Sequence, residues 1–93
     1  MGTFHQGKGE LHGITVVVDT HGEEIYIGRC DTMDEEGILL QDVDVRREGE
    51  DGRTKEEHAR HAAKLGFWKQ MDRLRIPSDQ IASVRRLGEI ASS

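Results

Sequence analysis

The sequence is poor in cysteine, in aromatic residues and in long apolar runs. Cys30 is the only cysteine of the 93 residues, which excludes an intramolecular disulfide framework and a thiolate cluster that would bind zinc. No apolar run approaches the roughly 20 residues of a membrane-spanning helix. The first residues, MGTFHQGKGELHG, lack the charged and apolar regions of a signal peptide. We therefore expect a soluble, cytoplasmic protein with no membrane contact.

Large apolar side chains are also scarce. Leu, Ile, Val and Phe together make up only 21 of the 93 residues. A chain of this length buries roughly 60 to 65% of its unfolded surface, so its core is thin, and we expect self-association to add to it. The formal charge of −5 disfavours a general phosphate-binding surface but is compatible with a local basic patch.

The chain divides into a flexible N-terminal arm, residues 1–12, and one domain, residues 13–90. The arm contains three Gly and two His and nothing that forces a helix or a strand. From Gly13 onward, β-branched residues alternate with the period of a strand, so that Val16 and Val18 share one face and Val17 points to the other. This run predicts the first strand.

The next two runs predict a second strand, which folds back antiparallel on the first, and a third strand. Gly22 suits a tight hairpin turn, and the second strand then extends from Glu24 to about Asp31, with Gly28 as the natural place for a bulge or bend. A polar, acidic turn at 32–36 precedes the third strand, which runs from Ile38 to Val45.

A short helical insertion is predicted at about 54–66. Thr54 and Glu57 have the spacing of a capping box, and Gly66 is well placed to end the helix. Because its apolar face is mostly alanine, we expect this helix to bury little area and to lean on the barrel rim.

The last third of the chain supplies the remaining strands. Leu74 and Ile76 lead as a strand into Pro77, and the segment from Ile81 to about Leu87 fits either a strand or a helix. The strand is favoured, because four strands with an open edge would be prone to aggregation. The predicted fold is mainly β: a strongly bent, five-stranded antiparallel SH3-like barrel with the helical insertion between strands 3 and 4. Its expected shared interior comprises Val16, Ile27, Leu40, Ile76 and Val84.

The pattern resembles the Sm-like family of small barrels that assemble into rings. The resemblance rests on Gly28, Asp34 and the run from Leu40 to Val43, and on the spacing of Ile76 and Ile81. It covers 13–45 and 74–87, about half of the chain, and it implies a homo-oligomer or ring that binds RNA between two loops. The positions that match those loops are Asp34, Glu35, Glu36, Pro77, Ser78 and Asp79. Their carboxylates would repel phosphate, so the usual RNA contacts of the family are not expected here.

Other candidate sites have simpler interpretations. The carboxylates of Asp31, Asp34, Glu35 and Glu36 could collect a divalent cation or act as an acid and base pair, but their spacing favours a solvated turn. His58 and His61 lie on the predicted helix without a third ligand, which favours an exposed face. Cys30 has no catalytic partner and is expected to be a small buried hydrophobe. We therefore assign no catalytic residue, metal ligand or cofactor.

One place interleaves aromatic and basic residues, as single-strand binding surfaces do. This basic aromatic strip comprises Trp68, Lys69, Arg73, Arg75, Arg85 and Arg86. The simpler interpretation is that Phe67 and Trp68 pack the insertion onto the barrel or onto a neighbouring subunit. The sequence thus favours a non-enzymatic, oligomeric binding or scaffold module. An RNA-binding protein that uses the strip and a metal-dependent enzyme that uses the acidic turn are the alternatives.

Overall fold

The computed structural model describes residues 11–90, which form one five-stranded antiparallel sheet and one α-helix. The elements are β1 (Thr15–Thr20), β2 (Glu24–Asp34), β3 (Gly37–Arg47), α1 (Lys55–Leu65), β4 (Met71–Pro77) and β5 (Ile81–Arg86). The strand order is β4-β3-β2-β1-β5. The predicted fold class is confirmed, with the helix between the third and fourth strands and a strand for the C-terminal segment.

The concave side of the sheet encloses the main core. All five strands contribute to it, and Val16, Leu40 and Ile76 are at most 2% exposed there. Val84 packs against the same cluster from β5. Four of the five residues expected in the shared interior are therefore confirmed. Ile27 is the exception, because it faces the other side of the sheet.

A bulge bends the sheet at Gly28, as the sequence predicts. Ile27 pairs with Asp44 and Arg29 with Gln41, so Gly28 faces two residues of β3. A Cβ at Gly28 would lie 3.0 Å from the Gln41 carbonyl oxygen, which leaves little room for a side chain. The bulged Asp42 adopts a φ of 56°, a left-handed conformation that aspartate tolerates better than most residues. This bulge turns the end of β3 and thereby sets the direction of Asp44.

The helix packs on the convex side of the sheet, and the expectation that it leans on the rim is wrong. Ala59 and Ala62 are at most 1% exposed and form a second core with Val17, Ile25 and Ile27. Small alanine side chains let the helix approach β1 and β2 closely, so its small apolar face is completely buried. The sheet is consequently buried on both sides at its centre.

Polar contacts fix the orientation of α1. The predicted capping box is present, with Thr54 and Glu57 each bonding the backbone N–H of the other. Lys55 Nζ lies 2.6 Å from Asp19 Oδ1 and donates to the carbonyl oxygen of Gly22 at 2.7 Å, which ties the helix start to the β1–β2 turn. These contacts hold the helix over β1 and β2.

The predicted acidic turn is shorter than expected. β2 continues through Asp34, and Met33 is 2% exposed within the main core. The turn reduces to Glu35 and Glu36, where Asp34 Oδ1 accepts hydrogen bonds from the backbone N–H groups of Glu36 and Gly37. This extension was not predicted, because Met33 stands between polar residues and the sequence shows no apolar alternation there.

Most of the predicted N-terminal arm, residues 1–10, lies outside the described residues. At its end, Leu11 packs against the main core, and the backbone N–H of Gly13 donates to the Cys30 carbonyl oxygen at 2.7 Å. Across 11–90, the structure contains no helix with the length and apolar character needed to cross a bilayer.

Cys30 is buried in the main core, as the sequence predicts, and is 1% exposed. Burial raises the pKa of its thiol, and the nearby Asp31 carboxylate raises it further. We therefore expect a disulfide reagent such as DTNB to modify the folded protein about a hundredfold more slowly than the urea-unfolded chain, because attack needs an opening that costs about 2.8 kcal/mol. Release of the chromophore measures both rates, and equal rates would contradict the buried placement.

Candidate functional site

A buried polar pair links α1 to β3. Asp44 is 1% exposed and His58 is 5% exposed, and His58 Nε2 lies 2.6 Å from Asp44 Oδ2. The amide of Gln70 donates to the other carboxylate oxygen at 3.4 Å, so Asp44 is also connected to the segment that precedes β4. Buried polar groups persist only when they are hydrogen-bonded, and this arrangement meets that requirement. The pair therefore fixes the helix and the 66–70 segment relative to the sheet.

The prediction of an exposed helical face is wrong for His58. The ring points toward the sheet, whereas His61 on the same helix is partly exposed. One signal in the sequence could have indicated the pair: β3 alternation puts Val43 and Val45 toward the interior and hence Asp44 on the opposite side. A carboxylate on a strand side that a helix covers needs a donor from that helix.

An open cleft lies beside this pair. It has a volume of about 360 Å³ and is lined by β3, by the loop before α1, by α1 itself and by the 66–68 segment. Asp44 and His58 line it together with Phe67 and Trp68. Phe67 packs against the second core, whereas Trp68 is 85% exposed. Phe67 thus packs the insertion onto the barrel, as expected, whereas Trp68 does not; packing of Trp68 onto a neighbouring subunit stays a prediction.

Two arginines line the cleft beside Asp44. Arg46 forms an ion pair with Asp51, and its Nε lies 3.8 Å from Asp44 Oδ1 without a hydrogen-bond acceptor in the described chain. Arg53 also lines the cleft, and its side chain makes no ion pair within residues 11–90. Asp51 and Asp44 offset the charge of Arg46, so Arg53 is the arginine of the cleft that remains for a negatively charged group.

The two predicted family loops meet in the structure. The backbone N–H of Ser78 donates to the Glu36 carbonyl oxygen at 2.9 Å, and Gly37 pairs with Pro77. Glu36 also lies 3.5 Å from Arg75. Of the remaining positions, Asp34 ends β2, Glu35 lies in the β2–β3 turn and Asp79 lies in the β4–β5 connection. The loops are thus adjacent and rich in carboxylates, which is unfavourable for an RNA phosphate.

The basic aromatic strip is divided between the segment before β4, which holds Trp68 and Lys69, and the two edge strands of the sheet, β4 and β5. Most of its cations are paired with carboxylates: Lys69 with Asp42 and Asp72, Arg75 with Glu36, Arg85 with Glu56, and Arg86 with Glu89. The hydrogen bond from Arg85 lowers the pKa of Glu56, as expected for a carboxylate held in its charged form. RNA binding by the strip stays a prediction, and it would have to displace these intramolecular partners.

The acidic residues near the β2–β3 turn do not converge. Asp31 and Asp34 lie on β2, while Glu35 and Glu36 form the turn. No group of three or more His, Cys, Asp or Glu side chains suited to a metal ion occurs in residues 11–90. A metal-dependent reaction at this turn therefore gains no geometric support from that part of the chain.

Comparison with known proteins identifies a structural neighbour but no family. No family model and no curated protein matches the chain. The fold is similar to a chain in the crystal structure of the NatC complex bound to CoA, with a TM-score of 0.57 and 15% sequence identity. The match covers 84% of this chain and 80% of that one. At this identity the similarity shows a shared fold, and the neighbour is a chain of a complex.

Proposed function

We propose that this protein is a non-enzymatic binding or scaffold module of the Sm-like type that assembles into a closed homo-oligomer. The observation that carries the proposal is the pair of open sheet edges. Within 11–90, β4 pairs only with β3, and β5 pairs only with β1. An open edge presents unpaired N–H and C=O groups, and pairing β4 of one copy with β5 of the next satisfies both edges at once.

Some backbone N–H groups of β4 point away from β3, toward the open edge of the sheet. The backbone N–H of Ser78 donates to the Glu36 carbonyl oxygen of the neighbouring chain segment. Hydrogen-bonded pairs alternate along an antiparallel ladder, so the N–H groups of Leu74 and Ile76 also point toward β3. The N–H groups of Arg73 and Arg75 between them point to the open edge. β4 therefore offers a regular set of donors to a partner strand.

An exposed apolar residue at this edge supports association. Met71, at the start of β4, is 39% exposed. The similar chain of the NatC complex provides a further argument, since this fold occurs there within an assembly. A second subunit would cover apolar surface that a thin core leaves in water.

Arg73→Pro tests the pairing of edge strands. Proline removes one outward N–H group and leaves the bonds to β3 intact, because edge strands tolerate proline where the N–H faces solvent. We expect light scattering coupled to size-exclusion chromatography to show an oligomer for the wild type and a monomer for Arg73→Pro at the same micromolar concentration.

Arg73→Thr is the matched control, since it also removes the guanidinium group but keeps the N–H group in a residue that favours strands. It should remain oligomeric. A monomeric wild type would overturn the proposal, and equal dissociation of both variants would assign the contact to the side chain instead of the strand edge.

A further inference from the structure

The cleft beside the Asp44–His58 pair contains an arginine without a carboxylate partner. Most other arginines of the described chain form ion pairs, among them Arg29 with Asp42 and Arg47 with Glu24. Arg53 has no such partner in residues 11–90, although it lines a concave site. The planar guanidinium group matches the two oxygens of a carboxylate or phosphate, and such contacts strengthen in a cleft that partly excludes water.

A second arginine lines the same cleft but is already paired. Arg46 forms an ion pair with Asp51, and its Nε, which has no hydrogen-bond acceptor among the described residues, lies 3.8 Å from Asp44 Oδ1. Because that Nε is buried, a molecule in the cleft does not reach it, and Arg53 is the arginine that can receive an anionic group. Arg46 and Arg53 approach the cleft from different segments, the end of β3 and the loop before α1.

The rim of the cleft adds an aromatic surface. Trp68 and Leu65 both line it and are largely exposed. An indole ring in this position offers a flat face on which a second ring can stack, and it gains by losing contact with water. Phe67 is anchored in the second core directly before Trp68, which restrains the backbone that carries the indole.

We propose that this cleft binds a small molecule that combines a flat aromatic ring with a carboxylate or phosphate group. Arg53 receives the anionic group, and Trp68 stacks on the ring. The volume of about 360 Å³ is at the lower end of the range for small-molecule sites. This ligand goes beyond the proposed assembly, because none of the lining residues belongs to β4 or β5.

The test uses two matched pairs of probes. Nicotinate and nicotinamide differ in the carboxylate, while adenosine monophosphate and adenosine differ in the phosphate. Trp68 is the only tryptophan, so quenching of its fluorescence reports ring binding directly, and calorimetry gives an independent Kd. We expect one anionic probe to bind about tenfold more tightly than its neutral partner. The pair that shows this preference identifies the anionic group.

Three variants assign the contacts. Arg53→Gln should abolish the preference for the anionic probe, whereas Lys64→Gln, the matched loss of one positive charge outside the cleft lining, should retain it. Trp68→Leu should weaken both members of a pair about tenfold, as measured by calorimetry. Equal binding of anionic and neutral probes, no saturable binding of either pair, or identical behaviour of Arg53→Gln and Lys64→Gln would overturn the proposal. Light scattering on Arg53→Gln keeps this result separate from the assembly, which should be unchanged.

Discussion

Asp44→Leu is expected to lower the free energy of unfolding by about 3 kcal/mol, because it leaves His58 buried without its partner. The Gln70 amide loses its acceptor in the same substitution. A domain of this size has a total stability of roughly 5 to 14 kcal/mol, so the loss is a large share of it. Urea unfolding monitored by circular dichroism measures the change.

The double variant Asp44→Leu/His58→Leu measures how much the contact between the two side chains contributes to the free energy of unfolding. Each single variant leaves one polar group unpaired in the protein interior, whereas the double variant leaves neither. We expect the double variant to be more stable than the sum of the single changes predicts, by about 2 kcal/mol. Strictly additive losses would show that the 2.6 Å contact contributes no coupling.

Gly37→Ala should destabilise the protein by about 3 kcal/mol, because β4 passes too close for any side chain. A Cβ at Gly37 would lie 2.3 Å from the Ile76 carbonyl oxygen and 3.1 Å from the Pro77 Cα atom. Both contacts are with backbone, so β4 itself has to move. Hydrogen exchange should therefore increase first at the β4 amide of Ile76, in addition to the loss measured by urea unfolding.

Gly49→Ala is the control for this prediction. Gly49 has a φ of 84°, and nothing lies within 4 Å of a Cβ placed there. Alanine at this position therefore meets only the backbone cost of a left-handed conformation, about 1 kcal/mol. A similar loss for both variants would mean that the approach of Ile76 to Gly37 contributes nothing.

The local elements of this fold could be predicted from the sequence because each depends on neighbouring residues. Alternation around Val17 predicts β1, Gly28 predicts the bulge, and Thr54 with Glu57 predicts the helix start. The fifth strand was also predicted, although the same run fits the period of a helix. Strands, turns and helix caps depend on interactions between residues a few positions apart, so the sequence is enough to predict them.

The candidate site could not be predicted in the same way. Asp44 and His58 are 14 positions apart, and their contact exists only because α1 lies on the convex side of the sheet. The placement of Arg53 and Trp68 in one cleft depends on the same docking. The sequence by itself determined the strands, the bulge and the cap. Only the tertiary structure decided which side of the sheet the helix covers, because that choice depends on packing and buried hydrogen bonds between distant residues.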